Sequence, residues 1–261
     1  MIITEGPSDE RILRRAFGEG AVYFAAGSRS TALEQSRTLH SWRQGYFLSI
    51  VDRDFDDTVA DFESENIPIH AYENADLEAM LCVSAASAEL LAEFGSMAKI
   101  EAQGGFEQVI ERLFLLVEPV SRLRRANIEN DWGLTFDSID LRSKIEKKSL
   151  NLKIQSYCAA LNDSSRDAPG QGLLIKYATG QIALKKVPSC PRGTVPYFRG
   201  RDFLAMLSAS LCGCFGTRRP QTVEPEILEG ALRLGGSIHL KDGPWGQELS
   251  SAIAELSKGG S

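Results

Sequence analysis

Histidine is scarce in this 261-residue chain: His40, His70 and His239 are the only three. No two of them stand at the H-x-x-x-H spacing of a helical zinc site, so zinc-hydrolase chemistry has no obvious ligand set. Walker A and G-x-S-x-G sequences are both missing, which removes P-loop ATP hydrolysis and a serine-hydrolase elbow. Gly18, Gly20 and Gly27 do not make a dinucleotide fingerprint. Nor is there a run of ~20 apolar residues to span a bilayer, and the opening MIITEG has no charged leader, so a soluble cytoplasmic protein is expected. The five cysteines, Cys82, Cys158, Cys190, Cys212 and Cys214, are odd in number and irregularly spaced, which suits a reducing compartment. Cys212 and Cys214 lie in the apolar run LSASLCGCF and are expected as a buried helical pair, with zinc as the alternative.

Charge is unevenly distributed. The net charge is −6, yet residues 142–201 hold 12 Lys and Arg against 3 Asp and Glu. Such a window suits a surface that grips a phosphate backbone, and it equally suits the solvated face of a helix bearing Lys144, Lys147, Lys148 and Lys153. Lys185, Lys186, Arg199, Arg201 and Lys241 extend the nucleic-acid-binding candidates beyond Lys147 and Lys148. Tyr157, Tyr177, Tyr197 and Phe198 would stack unpaired bases or simply pack the core.

In the first third, short apolar runs alternate with helical patterns, the signature of parallel βαβ units. Strands are expected at Ile2–Thr4, Ala21–Ala25, Tyr46–Val51 and Ile67–Tyr72, with helices at Ser8–Phe17 and Arg29–Trp42. Asp76–Leu81, Ser87–Phe94 and Phe106–Ala126 read as helices, the last ended or kinked at Pro119. A basic helix over Leu141–Leu161 follows, then a loop-rich and mobile stretch over 162–200 with a hairpin of LLIKYA and IALKKV around Thr179-Gly180. Helices Asp202–Phe215, Glu226–Leu234 and Gln247–Ser257 close the sequence. The expected division is an α/β core over 1–85 and a mainly helical elaboration over 86–261.

Two acidic motifs carry the chemistry. In IITEGPSDERIL, Glu5 follows an apolar strand at a Gly turn, and Asp9 lies one turn into the helix beyond. In FLSIVDRDFDD, a second apolar strand delivers Asp52, and extended alternation would send Asp52, Asp54 and Asp56 to one side. If the first and third strands are neighbours, these carboxylates converge and repel unless a hard cation such as Mg²⁺ intervenes. Read alone, DRDFDD would also serve as an acidic surface loop.

Together with HAYENADLEAML, these motifs resemble the TOPRIM fold, a Rossmann-like, mostly parallel α/β sheet, in its OLD-like nuclease branch. The likeness is to the stand-alone effector nucleases of the PARIS anti-phage system, with a weaker echo in YFRGRDFLAML. That resemblance implies an Mg²⁺- or Mn²⁺-dependent nuclease acting on RNA such as tRNA, or on DNA. Glu5 and Asp9 would bind one metal or act as acid and base, and Asp52 and Asp54 would bind metal. Asp76 and Glu78 would complete a second-metal or orienting set, with Asp56 as a further candidate. A separate ABC-type ATPase subunit would control it, and a homodimer is implied. Two rivals remain: a haloacid-dehalogenase-like phosphatase, suggested by the strand ending in D-x-D, and a non-catalytic regulatory subunit on the same scaffold.

Overall fold

Four of the apolar runs pair as one parallel sheet in a computed structural model, which describes residues 1–18, 20–193 and 196–258. The strands are β1 (Ile2–Thr4), β2 (Tyr23–Ala25), β3 (Leu48–Val51) and β4 (Ile69–Ala71), in the order β2-β1-β3-β4. Ile3 is in register with Phe24 on one side and Ser49 on the other, and Ile50 with His70. The expected adjacency of first and third strands is therefore present. Alternation sorts the strand side chains between two apolar clusters. Ile3 and Val51 pack with Ala32 and Leu33 of α2 (Arg29–Ser41) and with Val59 and Phe62 of α3 (Thr58–Ser64). Ile2 and Ile50 face the opposite way, toward Leu13 of α1 (Pro7–Phe17) and a much larger cluster. Burial on both faces explains why the strands read as continuous apolar runs.

That larger cluster continues into the helices that follow: α4 (Leu77–Cys82), α5 (Ala86–Phe94), α6 (Met97–Ala102), α7 (Phe106–Asn130), α8 (Ile154–Ser164), α9 (Gln171–Ala178), α10 (Gly200–Leu211), α11 (Pro225–Gly236) and α12 (Pro244–Lys258). Every residue of α10 except Arg201 is buried, as expected of a largely apolar helix enclosed by its neighbours, among them α4, α7 and α11. Trp245 of α12 donates its indole N–H to the Ala71 carbonyl at 3.0 Å, tying the last helix to β4.

Several expectations are corrected. The helix opened by Phe106 does not end at Pro119 but runs through it to Asn130. The carbonyl that Pro119 leaves without a helical donor belongs to Leu115, whose residue is 68% exposed, so water can serve it. LLIKYA forms α9 rather than a hairpin strand, because Leu174 and Ala178, one turn apart, bury together against the core. In place of one basic helix over Leu141–Leu161 there is a short antiparallel pair, β5 (Ile145–Glu146) with β6 (Asn151–Leu152), followed by α8. Helix α3 was not foreseen in the stretch after DRDFDD. Cys212 and Cys214 are half-buried at and beyond the end of α10 rather than buried within it. Of the stretch expected to be a mobile loop, Thr194 and Val195 lie outside the described residues.

Candidate metal centre

The chain leaves β1 toward β2 on one side and later lays β3 on the other, so the strand order reverses between β1 and β3. Ligand crevices in open α/β sheets form at the carboxyl ends of strands at such a reversal. Glu5 and Asp52 are the first residues beyond β1 and β3. The Asp52 backbone N–H donates to Glu5 Oε1 at 2.7 Å, which brings the two motifs together directly. Asp9, in the first turn of α1, accepts from the Tyr72 hydroxyl at 3.3 Å, and Tyr72 is fully buried one residue beyond β4.

After Asp52 the extended path ends. Asp54 has φ +52°, in the left-handed region, so simple alternation does not place Asp52, Asp54 and Asp56 on one side. Its N–H donates to the Ala75 carbonyl at 2.8 Å, and its own carbonyl accepts from the Tyr197 hydroxyl. Asp56 turns away to Arg29, whose guanidinium holds both its oxygens at 2.7 and 3.0 Å. Arg29 also donates to the Asp52 carbonyl at 2.9 Å and stands 3.4 Å from Asp54 Oδ2. Asp56 is thus a structural partner of Arg29 in this arrangement, in contrast to the expectation that it faces the metal.

Asp76 and Glu78 reach the same region from α4. Asp76 caps that helix through the Ala79 N–H at 2.7 Å and accepts from the Gly200 N–H at 3.0 Å. Glu78 is paired with Arg233 of α11 at 2.5 Å. Gly200 permits this packing, since a Cβ there would lie 2.3 Å from Glu78 Cβ and 2.5 Å from the Ala79 nitrogen.

Crowded together and at least half-buried, Glu5, Asp9, Asp52, Asp54 and Asp76 bind their protons more tightly than free acids. Burial, reinforced by the charges of Asp9 and Asp54, pushes Glu5 up to about 7. Asp52 is raised well above the usual carboxylate range by burial and by Glu5 and Asp76. Burial and neighbouring Glu78 lift Asp76 to about 8 and raise Asp9 as well. Asp54 is also raised by burial, against the pull of Arg29. For Asp56 burial is outweighed by Arg29, and its pKa falls. The set therefore carries more potential negative charge than its flanking arginines offset, and its donors are all hard oxygens, the chemistry a divalent ion such as Mg²⁺ takes. Among the described residues, no three His, Cys, Asp or Glu side chains already stand in ligand geometry. Ion binding here requires side-chain rotations within the set.

The basic candidates are mostly engaged elsewhere. Lys186 pairs with Asp57, and the Lys185 ammonium lies 3.5 Å from the Glu129 carbonyl. Arg199 binds Asp137 at 2.9 Å, and Arg201 lies 3.4 Å from Glu226. Lys241 sits 5.7 Å above the Phe17 ring, and Lys147 and Lys148 are exposed in the β5–β6 turn. The structure thus does not gather the seven into one free cationic face. Tyr157, Tyr197 and Phe198 are buried, and Tyr177 packs edge-on against Trp132, so as placed these rings are packing groups. Arg29 and Arg124 are the functional neighbours that sequence reasoning missed. Arg124 forms a buried pair with Asp202 at 2.6 and 2.8 Å and lines, with Asp54, Asn127, Phe136 and Asp137, a cleft of about 440 Å³ beside the carboxylates. The only sequence signal for Arg29 was its position at the start of a helix after β2.

Compared with known proteins, the chain matches no protein-family model, no curated protein and no solved structure.

Proposed function

We propose that the chain is a metal-dependent nuclease of the TOPRIM type, hydrolysing phosphodiester bonds at the carboxyl ends of β1 and β3. The observation that carries this reading is the 2.7 Å hydrogen bond from the Asp52 amide to Glu5, which draws the acids of two distant motifs into one half-buried, mutually repelling set. Glu5, Asp52 and Asp54 would hold Mg²⁺ or Mn²⁺, with Asp9, Asp76 and Glu78 around them; the ion, when bound, supplies an activated water and neutralises charge on the leaving oxygen. The protein's own groups have separate tasks. Arg29 fixes the loop bearing Asp52 and Asp54 from below, and Arg233 keeps Glu78 paired. The cleft beside Asp54, with Arg124 in its wall, is the route by which a phosphodiester would approach.

The OLD-like, defence-effector identity, RNA or DNA as substrate, a controlling ATPase subunit and a homodimer belong to the same proposal and rest on the motif resemblance. The test is incubation of purified protein with RNA and DNA under Mg²⁺, Mn²⁺ or chelator. Cleavage that needs the ion and is lost in Glu5→Gln and in Asp52→Asn is expected. Cleavage that survives in Glu5→Gln would remove this site from the reaction.

A further inference from the structure

Residues 181–193 lie against the loop that carries Asp52 and Asp54, and their attachment is a closed ionic circuit. The N–H groups of Lys185 and Lys186 donate to the two oxygens of Glu129, at 2.9 and 2.8 Å. Glu129 also accepts from Arg125 Nε at 3.0 Å, one turn earlier on α7. Arg125 Nη1 donates to the Phe55 carbonyl at 2.7 Å, and Nη2 reaches Asp57 at 3.3 Å. Asp57 in turn binds the Lys186 ammonium, which returns the circuit to its start.

Two features make this more than a surface ion-pair chain. The Arg125 and Glu129 side chains are only 8% and 3% exposed, and the Lys185 and Lys186 N–H groups supply two of the donors to Glu129, so undocking of the segment strips it of both. The loop end of the circuit is also the support of Asp54: Phe55 packs edge-on against Tyr197 with ring centroids 5.3 Å apart, and the Tyr197 hydroxyl donates to the Asp54 carbonyl. A shift of the Phe55 carbonyl therefore moves the adjacent residue, whose left-handed backbone is already an uncommon one.

We infer that Arg125 and Glu129 are positioning residues: they couple the docked state of residues 181–193 to the shape of the Asp52–Asp57 loop, so the carboxylate set is assembled only while that segment is docked. The metal-dependent consequence rests on the proposed function above, whereas the mechanical coupling does not. Because the segment is held at Lys186 by an exposed carboxylate, a phosphate-bearing polymer competes there with Asp57.

Hydrogen exchange read by mass spectrometry on the full chain, alongside a Mn²⁺ titration, tests this. In Glu129→Gln, amides of 181–193 and of 52–58 should both exchange at least about tenfold faster, with β1 and α10 unchanged, and the Mn²⁺ midpoint should rise by about the same factor. Arg125→Lys keeps the charge but, with a single nitrogen in place of the guanidinium fork, cannot span Glu129, the Phe55 carbonyl and Asp57 at once, and should behave like Glu129→Gln. If Glu129→Gln does not fold, Lys186→Ala, altering a side chain that is 62% exposed, should show the same paired change at smaller amplitude. Faster exchange in 181–193 with none in 52–58, in any of these variants, overturns the coupling. A wild type without Mn²⁺ response would instead defeat the metal-site reading, and the exchange comparison would still decide this one.

Discussion

Replacing Glu5 by Gln should make the metal-free protein more stable at neutral pH. Gln keeps an oxygen to accept the Asp52 N–H, so the 2.7 Å hydrogen bond need not be lost, while the charge that burial and Asp9 oppose is removed. A carboxyl whose folded-state pKa lies above its unfolded value binds its proton more tightly in the folded chain. Its contribution is full below the unfolded pKa near 4.5 and is lost as pH rises through about 7. The span from 4.5 to about 7 corresponds to about 3 kcal/mol at pH 8, and Asp76, raised to about 8 by burial and Glu78, slopes the same way. For a chain of this size that is a fall in Tm of roughly 5 to 10 °C between pH 5 and 8 in chelator. Calorimetry or fluorescence melts would show a smaller fall in Glu5→Gln. Millimolar Mg²⁺ should recover wild-type stability at pH 8 and do little for the variant. A wild-type Tm that is flat or rises from pH 5 to 8 in chelator would refute the account of a mutually repelling set.

Other substitutions separate support from chemistry. Gly200→Ala puts a methyl group into Glu78 and the α4 backbone and should cost about 1–3 kcal/mol or more, read as a lower urea midpoint. Asp202→Ala leaves the Arg124 guanidinium buried without its bidentate partner and should cost about 3–5 kcal/mol in the same assay. Arg29→Ala frees Asp56 and removes three contacts to the Asp52–Asp54 loop, at the Asp52 and Arg53 carbonyls and Asp54 Oδ2; Mn²⁺ should bind several-fold more weakly, and unchanged affinity would mean that loop holds itself. A generic phosphomonoester distinguishes the phosphatase alternative: turnover abolished by Asp52→Asn yet untouched by Glu5→Gln would replace the nuclease reading.

What the sequence disclosed about the fold follows from how local each signal is. Strands covered on both faces appear as unbroken apolar runs, so β1 and β3 could be located, and with them the acids just beyond. LLIKYA misled because a mostly apolar run of six residues fits a strand or a helix equally, and the burial of Leu174 with Ala178 against α7 and α8 settles it only in three dimensions. Pro119 misled for a related reason: its cost depends on whether Leu115 faces water, which composition does not report.

The basic window is the sharper case, because its charge count locates the cations along the chain without saying what they face. Lys186, Arg192, Arg199 and Arg201 each lie within 142–201, but their carboxylate partners, Asp57, Glu73 with Glu248, Asp137 and Glu226, all lie outside it. Pairings at such separations leave no periodicity for a sequence to display. A local excess of positive charge therefore tells where cations are attached to the chain, whereas the field a polyanion meets depends on which of those cations already face a carboxylate. In this protein several of them brace the rim of the acidic site, and residues 181–193 are held to the loop after β3 by the same charges that suggested a binding surface. For a phosphate backbone to use Lys186, it must displace Asp57, and through Arg125 that exchange is felt at Phe55, next to the Asp54 carboxylate.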